Sequence, residues 1–385
     1  MQSLDEVLTR GVDKIYPDND SLKTALDTRK LRIYCGFDPT GNTLHLGHVV
    51  NLLKLRAFHL LGHDVFVVIG TFTARIGDPD KAETRTKLTI DQVKENASDY
   101  VRQIRLFFPE VDDDHIKYNS EWLDKMDLSE MLEYLSFFTH AQIIERDLFQ
   151  ERLKKGSSLA MSELMYPIMQ AIDSDKLNID LELGGADQTF NMLIGKELMR
   201  KKNNKEKFVL TNRLLVDEKG EKAGKTTGNM IAISDTPEVI TDKITNLNRN
   251  LILSYFEGAT DLPQSKILEI KKLLDEGNSG IKIATLELAK YFVEKIHAKD
   301  FSPENRLFLG QGTQHTLLEI WERILKNTSR QELKKIIHNE GVEINGEKTT
   351  DFNYVINSDM LKTKDIQLKL GKRKLSISRL IDKDK

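Results

Sequence analysis

The sequence predicts an α/β protein: a parallel-sheet domain first, then an all-α segment, then a small basic α+β module. Three observations predict it. Residues 31–37 (LRIYCGF) read as a strand broken at Gly36, VVNLLKLRAFHLLG as a helix, and DVFVVIG as a strand buried on both faces. Strand, loop, helix and strand make a βαβ unit, which calls for a parallel sheet. From Thr236 to about Lys326 the pattern is helical with few strand signals, and Asn345-Gly346 between alternating residues then signals a hairpin.

Along the chain, the loop DPTGNTLHLGH follows the first strand, and Gly62 ends the first long helix. Residues 90–107 and 127–154 read as charged helices, with acidic Asp112–Asp114 between them. Residues 160–173 read as a methionine-flanked helix, Asp180–Leu183 as a short strand, and GGADQ opens a helix to about Lys202. Arg200–Lys207 reads as a charged turn, Phe208–Leu210 as renewed apolar structure, and LLVDEKGEKAGKTTGNMIAI as a glycine- and lysine-rich loop. The expected domains are 1–232 (with a helical insertion at about 120–160), 233–325 and 326–385.

Composition narrows the class. Of 385 residues, 39% are hydrophobic and 30% charged, which excludes collagen-like and wholly disordered chains. No apolar run approaches the ~20 residues of a membrane span, and MQSLDEVLTR lacks the pattern of a secretory signal. A single cysteine, Cys35, excludes an internal disulfide framework and a cysteine-cluster zinc site. The expectation is a soluble, cytoplasmic protein. The net charge of −3 conceals a basic tail: residues 326–385 hold 14 Lys and Arg against 9 Asp and Glu. Such a tail fits either a polyanionic partner or a solvated end.

Three groups of residues carry candidate chemistry. Asp38, Pro39 and Thr40 precede His45-Leu-Gly47-His48 at a strand's carboxyl end, where α/β sheets bind ligands. The helix start behind them favours an anion, and imidazole N–H groups donate to phosphoryl oxygens. Alone, the pair equally fits solvent-facing histidines; no third ligand or HExxH pattern suggests a metal. Lys222 and Lys225, in KAGKTTG, form a cationic clamp for a polyphosphate or a plain surface loop. Lys219 stands where a Walker loop needs its first glycine, so that motif is absent. Tyr166, Gln170 and Asp173, spaced i, i+4 and i+7, share one helical face that either meets water or lines a polar pocket.

The two phosphate-type motifs together, about 180 residues apart, resemble the signatures of class I aminoacyl-tRNA synthetases. The flanking segments YCGFDPT, FTARIGDP, YPIMQAIDS, LGGADQTFN and KAGKTTGN resemble, in order, those of the bacterial-type tyrosyl-tRNA synthetase family. The resemblance covers nearly the whole chain, and its C-terminal module is similar to an S4 RNA-binding domain. It implies a Rossmann-like catalytic domain, a helical anticodon-binding domain at 233–325 and an S4-like domain at 326–385. It also implies a tyrosine–tRNA ligase: tyrosine reacts with ATP to give tyrosyl-adenylate and pyrophosphate, then passes to the 3′ end of tRNA(Tyr).

The same resemblance distributes the roles. Tyr34 and Asp173 would hold the substrate phenol, and Asp78, Tyr166 and Gln170 its ammonium. Gln188 and Asp38 would shape that pocket, while Cys35, Gly36, Gly47, Asp187 and His48 would lie near the nucleotide. Thr40 and His45 would meet the leaving pyrophosphate, with Lys222, Lys225 and Thr226 closing on it, and Lys81 and Arg85 as further phosphate contacts. Mg²⁺ would travel with ATP, with no protein-caged metal, and the family is usually a homodimer joined near the 120–160 insertion. Three rivals stand against this reading: a tryptophan-charging synthetase, a small-molecule nucleotidyl transferase, and an RNA-binding protein that has lost its activity.

Overall fold

The computed structural model describes residues 2–78, 88–215, 230–297, 306–309, 314–325, 328–357, 360, 366–370 and 373–379. By packing, the chain divides into two units, Met1–Lys295 and Ile296–Lys385.

The first unit opens with α1 (Leu4–Thr9), β1 (Val12–Tyr16) and α2 (Asn19–Thr28), then β2 (Arg32–Phe37), α3 (Leu46–Leu60) and β3 (Asp64–Ile69). Next come α4 (Ile90–Phe107) and β4 (Ile116–Tyr118). Short helices α5 (Ser120–Leu123), α6 (Leu128–Ser136), α7 (His140–Ile144) and α8 (Asp147–Lys154) form the insertion. Then follow α9 (Met161–Lys176), β5 (Leu181–Gly185), α10 (Thr189–Asn203) and β6 (Phe208–Asn212). The unit closes with α11 (Pro237–Thr245), α12 (Arg249–Ala259), α13 (Gln264–Asp275) and α14 (Asn278–His297).

Among the described residues the strands form one six-stranded sheet in the order β1-β6-β5-β2-β3-β4. Every neighbouring pair is parallel except β1 with β6. The parallel core answers the expected βαβ arrangement: β2 and β3 pair in register from Arg32–Asp64 to Phe37–Ile69, with α3 as the crossover. β1 escapes the sequence pattern. Its VDKIY is half polar, because an edge strand is exposed along one side. The long charged helix expected over 127–154 is three short ones, since Phe137–Thr139 and Glu145–Arg146 interrupt it.

A buried cation anchors the N-terminal helix. Lys54, on α3, is 8% exposed and donates to the Val7 and Arg10 carbonyls at the end of α1. Burial, helped by the Arg10 guanidinium, drags its ammonium down to about 7 from an ordinary 10.5. Between those values the unfolded chain binds a proton that the folded chain lacks, so stability rises with pH across that window. The full penalty applies below pH 7. In Lys54→Met this rise is expected to vanish: urea midpoints at pH 6 to 10 would climb for the native chain relative to the variant.

The second unit comprises β7 (Arg306–Leu309), β8 (Gln314–Thr316), α15 (Leu317–Ile324) and α16 (Arg330–Glu340). Short strands β9 (Val342–Ile344), β10 (Glu347–Thr349) and β11 (Val355–Asn357) follow, then β12 (Ile366–Leu370) and β13 (Arg373–Arg379). The Asn345-Gly346 signal is met by the β9–β10 hairpin, in which both residues take positive φ. β7 and β8 lie in a stretch whose sequence reads as helical; β7 pairs in parallel with β13, and such distant pairing leaves no local signature. Leu317, Leu318 and Trp321 of α15 share one core with Leu333 and Ile337 of α16.

Candidate functional site

The carboxyl end of β2 supplies the first part of the site. Alternation along the strand turns Tyr34 and Cys35 to opposite faces. Cys35 is buried, and burial raises its thiol far above the usual range, so it stays a protonated packing residue. Beyond Gly36 and Phe37 the chain turns at Asp38, where the Thr40 N–H donates to the Asp38 carbonyl at 2.8 Å.

His45 caps α3. Its Nδ1 accepts from the Gly47 N–H at 3.1 Å, and His48 Nδ1 accepts from the His45 N–H at 3.1 Å. The rings stack with centroids 3.8 Å apart. An Nδ1 that accepts leaves the proton on Nε2, so both imidazoles are fixed as Nε2–H donors at a helix start. Gly47 is required here, because a Cβ would stand 2.9 Å from the His45 ring. These histidines are therefore capping residues of α3 rather than solvent-facing loop residues.

The segment after the lysine loop is stitched to this place. The Leu46 N–H donates to Ile231 O at 3.1 Å, the Ile233 N–H to Leu44 O at 2.9 Å, and the Ser234 N–H to Thr43 Oγ1 at 3.2 Å. The expected clamp residues Lys222, Lys225 and Thr226, and the helpers Lys81 and Arg85, lie outside the described residues.

The polar stripe of α9 faces inward. Tyr166 donates to Asp38 Oδ2 at 2.8 Å, and Thr73 donates to Asp38 Oδ1 at 2.7 Å. Asn119 Nδ2 reaches both Thr73 Oγ1 at 3.0 Å and Asp173 Oδ2 at 3.4 Å, while Trp122 Nε1 donates to Asp173 Oδ1 at 2.8 Å. Burial raises the Asp173 carboxyl well above the usual range, and the Trp122 and Asn119 donors oppose that shift. Gly70 leaves the room: a Cβ there would stand 1.9 Å from Asp38 Oδ1.

A second carboxylate is held from the other side. Asp78 accepts from Arg146 Nη2 at 2.8 Å, Gln188 Nε2 at 2.9 Å and Asn191 Nδ2 at 3.3 Å. The side chains of Arg146 and Asp78 are only 6% and 11% exposed. Among the described residues, buried Arg146 Nη1 has no hydrogen-bond partner. Asp187 sits in the turn before α10, where a Cβ on Gly185 would stand 2.5 Å from its Oδ1.

Beneath this lies a group that sequence reasoning missed. Tyr34, fully buried, donates to Glu182 Oε1 at 2.6 Å, and Gln170 Nε2 donates to the same oxygen at 2.9 Å. Lys207 pairs with Glu182 Oε2. The charged turn expected over Arg200–Lys207 thus ends in a lysine that is 0% exposed, because Lys207 precedes β6 and points under the sheet rather than into water. The available signal was Glu182 itself, a charge in the middle of the buried strand LELGG. Arg146, Asn119 and Trp122 carried none, since no spacing or motif sets them apart from the residues around them.

A mostly parallel sheet with paired imidazoles at a helix start and a buried polar network on the helix Met161–Lys176 has the class I tRNA synthetase architecture. Among solved structures, a C-terminally truncated mitochondrial tyrosyl-tRNA synthetase of Coccidioides posadasii matches with a TM-score of 0.64 and 24% identity, covering 77% of this chain and 89% of that one. The tyrosyl-tRNA synthetase of Archaeoglobus fulgidus, solved with L-tyrosine, matches with a TM-score of 0.62 and 20% identity, over 76% and 96% of the two chains. These likenesses concern the fold. The family model for class I tRNA synthetases (W and Y) matches residues 26–306. A tyrosine–tRNA ligase of Dehalococcoides mccartyi (strain CBDB1) is 36% identical over 397 residues, covering 97% of this chain and 98% of that protein. One from Thermotoga maritima is 32% identical over 388 residues, covering 96% and 95%. The chain belongs to the class I tRNA synthetase family that spans the tryptophan and tyrosine enzymes.

Proposed function

We propose that this protein is a tyrosine–tRNA ligase, with L-tyrosine, ATP and tRNA(Tyr) as substrates. The observation that carries the reading is the inward-facing stripe Tyr166, Gln170 and Asp173, hydrogen-bonded to Asp38, to Glu182 of β5 and to Trp122 of α5, together with the stacked His45–His48 pair that caps α3. It supports a slot for a hydroxylated ring and its ammonium, next to donors for phosphate oxygens.

In the first step a tyrosine carboxylate oxygen attacks the α-phosphorus of ATP, and pyrophosphate leaves. The nucleophile is already ionised, so no general base is needed; positioning and charge stabilisation do the catalysis. In the second step a hydroxyl of the terminal ribose attacks the activated carbonyl and AMP leaves. In this reading the Nε2–H donors of His45 and His48 meet phosphate oxygens, with Thr40, Lys222, Lys225, Thr226, Lys81 and Arg85 as further contacts. Gly36, Gly47 and Asp187 border the nucleotide. Mg²⁺ enters with ATP as part of that substrate.

The remaining assignments follow the packing. The basic second unit is read as the tRNA backbone contact and the helices α11–α14 as an anticodon platform. A homodimer through the insertion is supported by Leu128 and Leu132 of α6, one turn apart and 74% and 55% exposed. The decisive experiment is ATP–pyrophosphate exchange with tyrosine, phenylalanine and tryptophan in parallel; exchange with tyrosine alone is expected, and exchange driven best by tryptophan refutes the reading.

Arg146 offers a sharper check. It holds Asp78, and in this reading it positions the carboxylate that would hold the ammonium. Truncating one side of such a buried pair costs roughly 2–5 kcal/mol. Arg146→Ala is expected to raise the tyrosine KM by about 30-fold to a few thousand-fold while kcat changes far less; Arg146→Lys should recover part of it. Steady-state exchange kinetics would read both.

A further inference from the structure

Glu182 and Lys207 are fully inside the molecule, yet nothing in the family reading gives them a task. Three parallel strands set them under Tyr34: Tyr34 of β2 pairs with Glu182 of β5, and Glu182 with Val209 of β6. Lys207 lies two residues before Val209 and so falls on the same face. Gly195 of α10 opens the space, since a Cβ there would stand 2.4 Å from Lys207 Nζ.

The hydrogen bonds around this pair run in one direction. Lys207 has only donors, and it donates to Ser174 Oγ at 2.8 Å as well as pairing with Glu182 Oε2. With that lone pair occupied, the one Ser174 proton is shared between the Tyr34 oxygen at 3.3 Å and Glu182 Oε2 at 3.4 Å. Tyr34 carries one proton. Its charged acceptor, Glu182 Oε1 at 2.6 Å, outcompetes the Gln170 carbonyl at 3.3 Å. The tyrosine hydroxyl is thus spent as a donor toward the interior, and it meets any further partner as an acceptor.

A buried ion pair is a poor way to gain stability, because well-packed apolar side chains of similar size do as well or better. Its retention at this spot asks for another reason. The geometry points to Glu182 and Lys207 as positioning residues for tyrosine selection: their ion pair fixes Tyr34 as a hydrogen-bond acceptor, so that the substrate phenol donates to Tyr34 and meets Asp173 through its lone pair. Phenylalanine, with no proton to give, leaves the Tyr34 acceptor buried and unmet. The inference rests on the tyrosine-slot reading and adds the polarity of its recognition.

Two measurements test it. The first is the double variant Glu182→Leu with Lys207→Met, which removes both charges and keeps the volume. In ATP–pyrophosphate exchange its ratio of kcat/KM for tyrosine over phenylalanine is expected to fall about tenfold, with the tyrosine loss chiefly in KM. Release of Gln170, which Glu182 also holds, acts on both amino acids and cancels in the ratio. A folded variant with an unchanged ratio overturns the proposal, because a purely structural pair would not touch it. The second needs no variant. Ring-fluorinated tyrosines with progressively more acidic, still neutral phenols are expected to bind the native enzyme as well as or better than tyrosine, since they donate more strongly. Weakening along the series would mean that Tyr34 donates, and would overturn the proposal even if the double variant fails to fold. A native protein without tyrosine-dependent exchange would instead overturn the substrate reading, a separate outcome.

Discussion

His45→Ala is expected to lower kcat for tyrosyl-adenylate formation by about 10²–10³-fold, the usual loss when one preorganised donor to a charge-gaining oxygen is removed. The tyrosine KM should scarcely move, because charge on the leaving pyrophosphate grows only in the transition state. The geometry makes His45 a rigid donor: its Nδ1 is held by the Gly47 N–H, and its ring is stacked on His48. The same Nδ1 caps α3, so alanine also costs about 0.5–2 kcal/mol of stability. His45→Asn separates the two effects. Its short amide still caps the helix but cannot reach as the imidazole does, so thermal stability should return while kcat stays low. Single-turnover adenylate formation beside thermal unfolding would read both; a kcat close to native in His45→Ala would remove the imidazole pair from the chemistry.

Ending the chain after His297 is expected to cut tRNA charging by about 10³-fold or more while tyrosine-dependent pyrophosphate exchange persists, since phosphate contacts supply much of the affinity for nucleic acid. The place of the cut matters. Ending at about residue 327 would strand α15 without its partner, because Trp321, fully buried, packs in one core with Leu333, Ile337 and Val342 of the lost portion. That shorter deletion should therefore aggregate or unfold at its end, whereas the cut at 297 follows the packing division. Charging and exchange assays on both truncations, with salt titration of the native chain, would check this. Equal loss of exchange and charging after the clean cut would contradict the proposed division of labour.

How much of this was written legibly in the sequence depends on distance along the chain. β2, α3 and β3 were readable because a buried strand and an amphipathic helix each repeat within a few residues. β1 was not, since its partner β6 lies almost two hundred residues away and an edge strand keeps a mixed pattern. The same holds for β7, whose pairing with β13 is invisible locally. In the site, His45, His48 and the α9 stripe announce themselves through spacing on single elements. Glu182 and Lys207 do not: each alone reads as a misplaced or solvated charge, and only the sheet register brings them together beneath Tyr34. Arg146 is similar, one charge among many in a polar insertion until Asp78 meets it.

The paired backbone between Leu44–Leu46 and Ile231–Ile233 has a practical corollary. The amides of Leu46 and Ile233 can exchange with deuterium only when those two strips of chain part company. They are therefore native reporters, needing no label or mutation, of how tightly the start of α3 is latched to the segment from residue 230 onward.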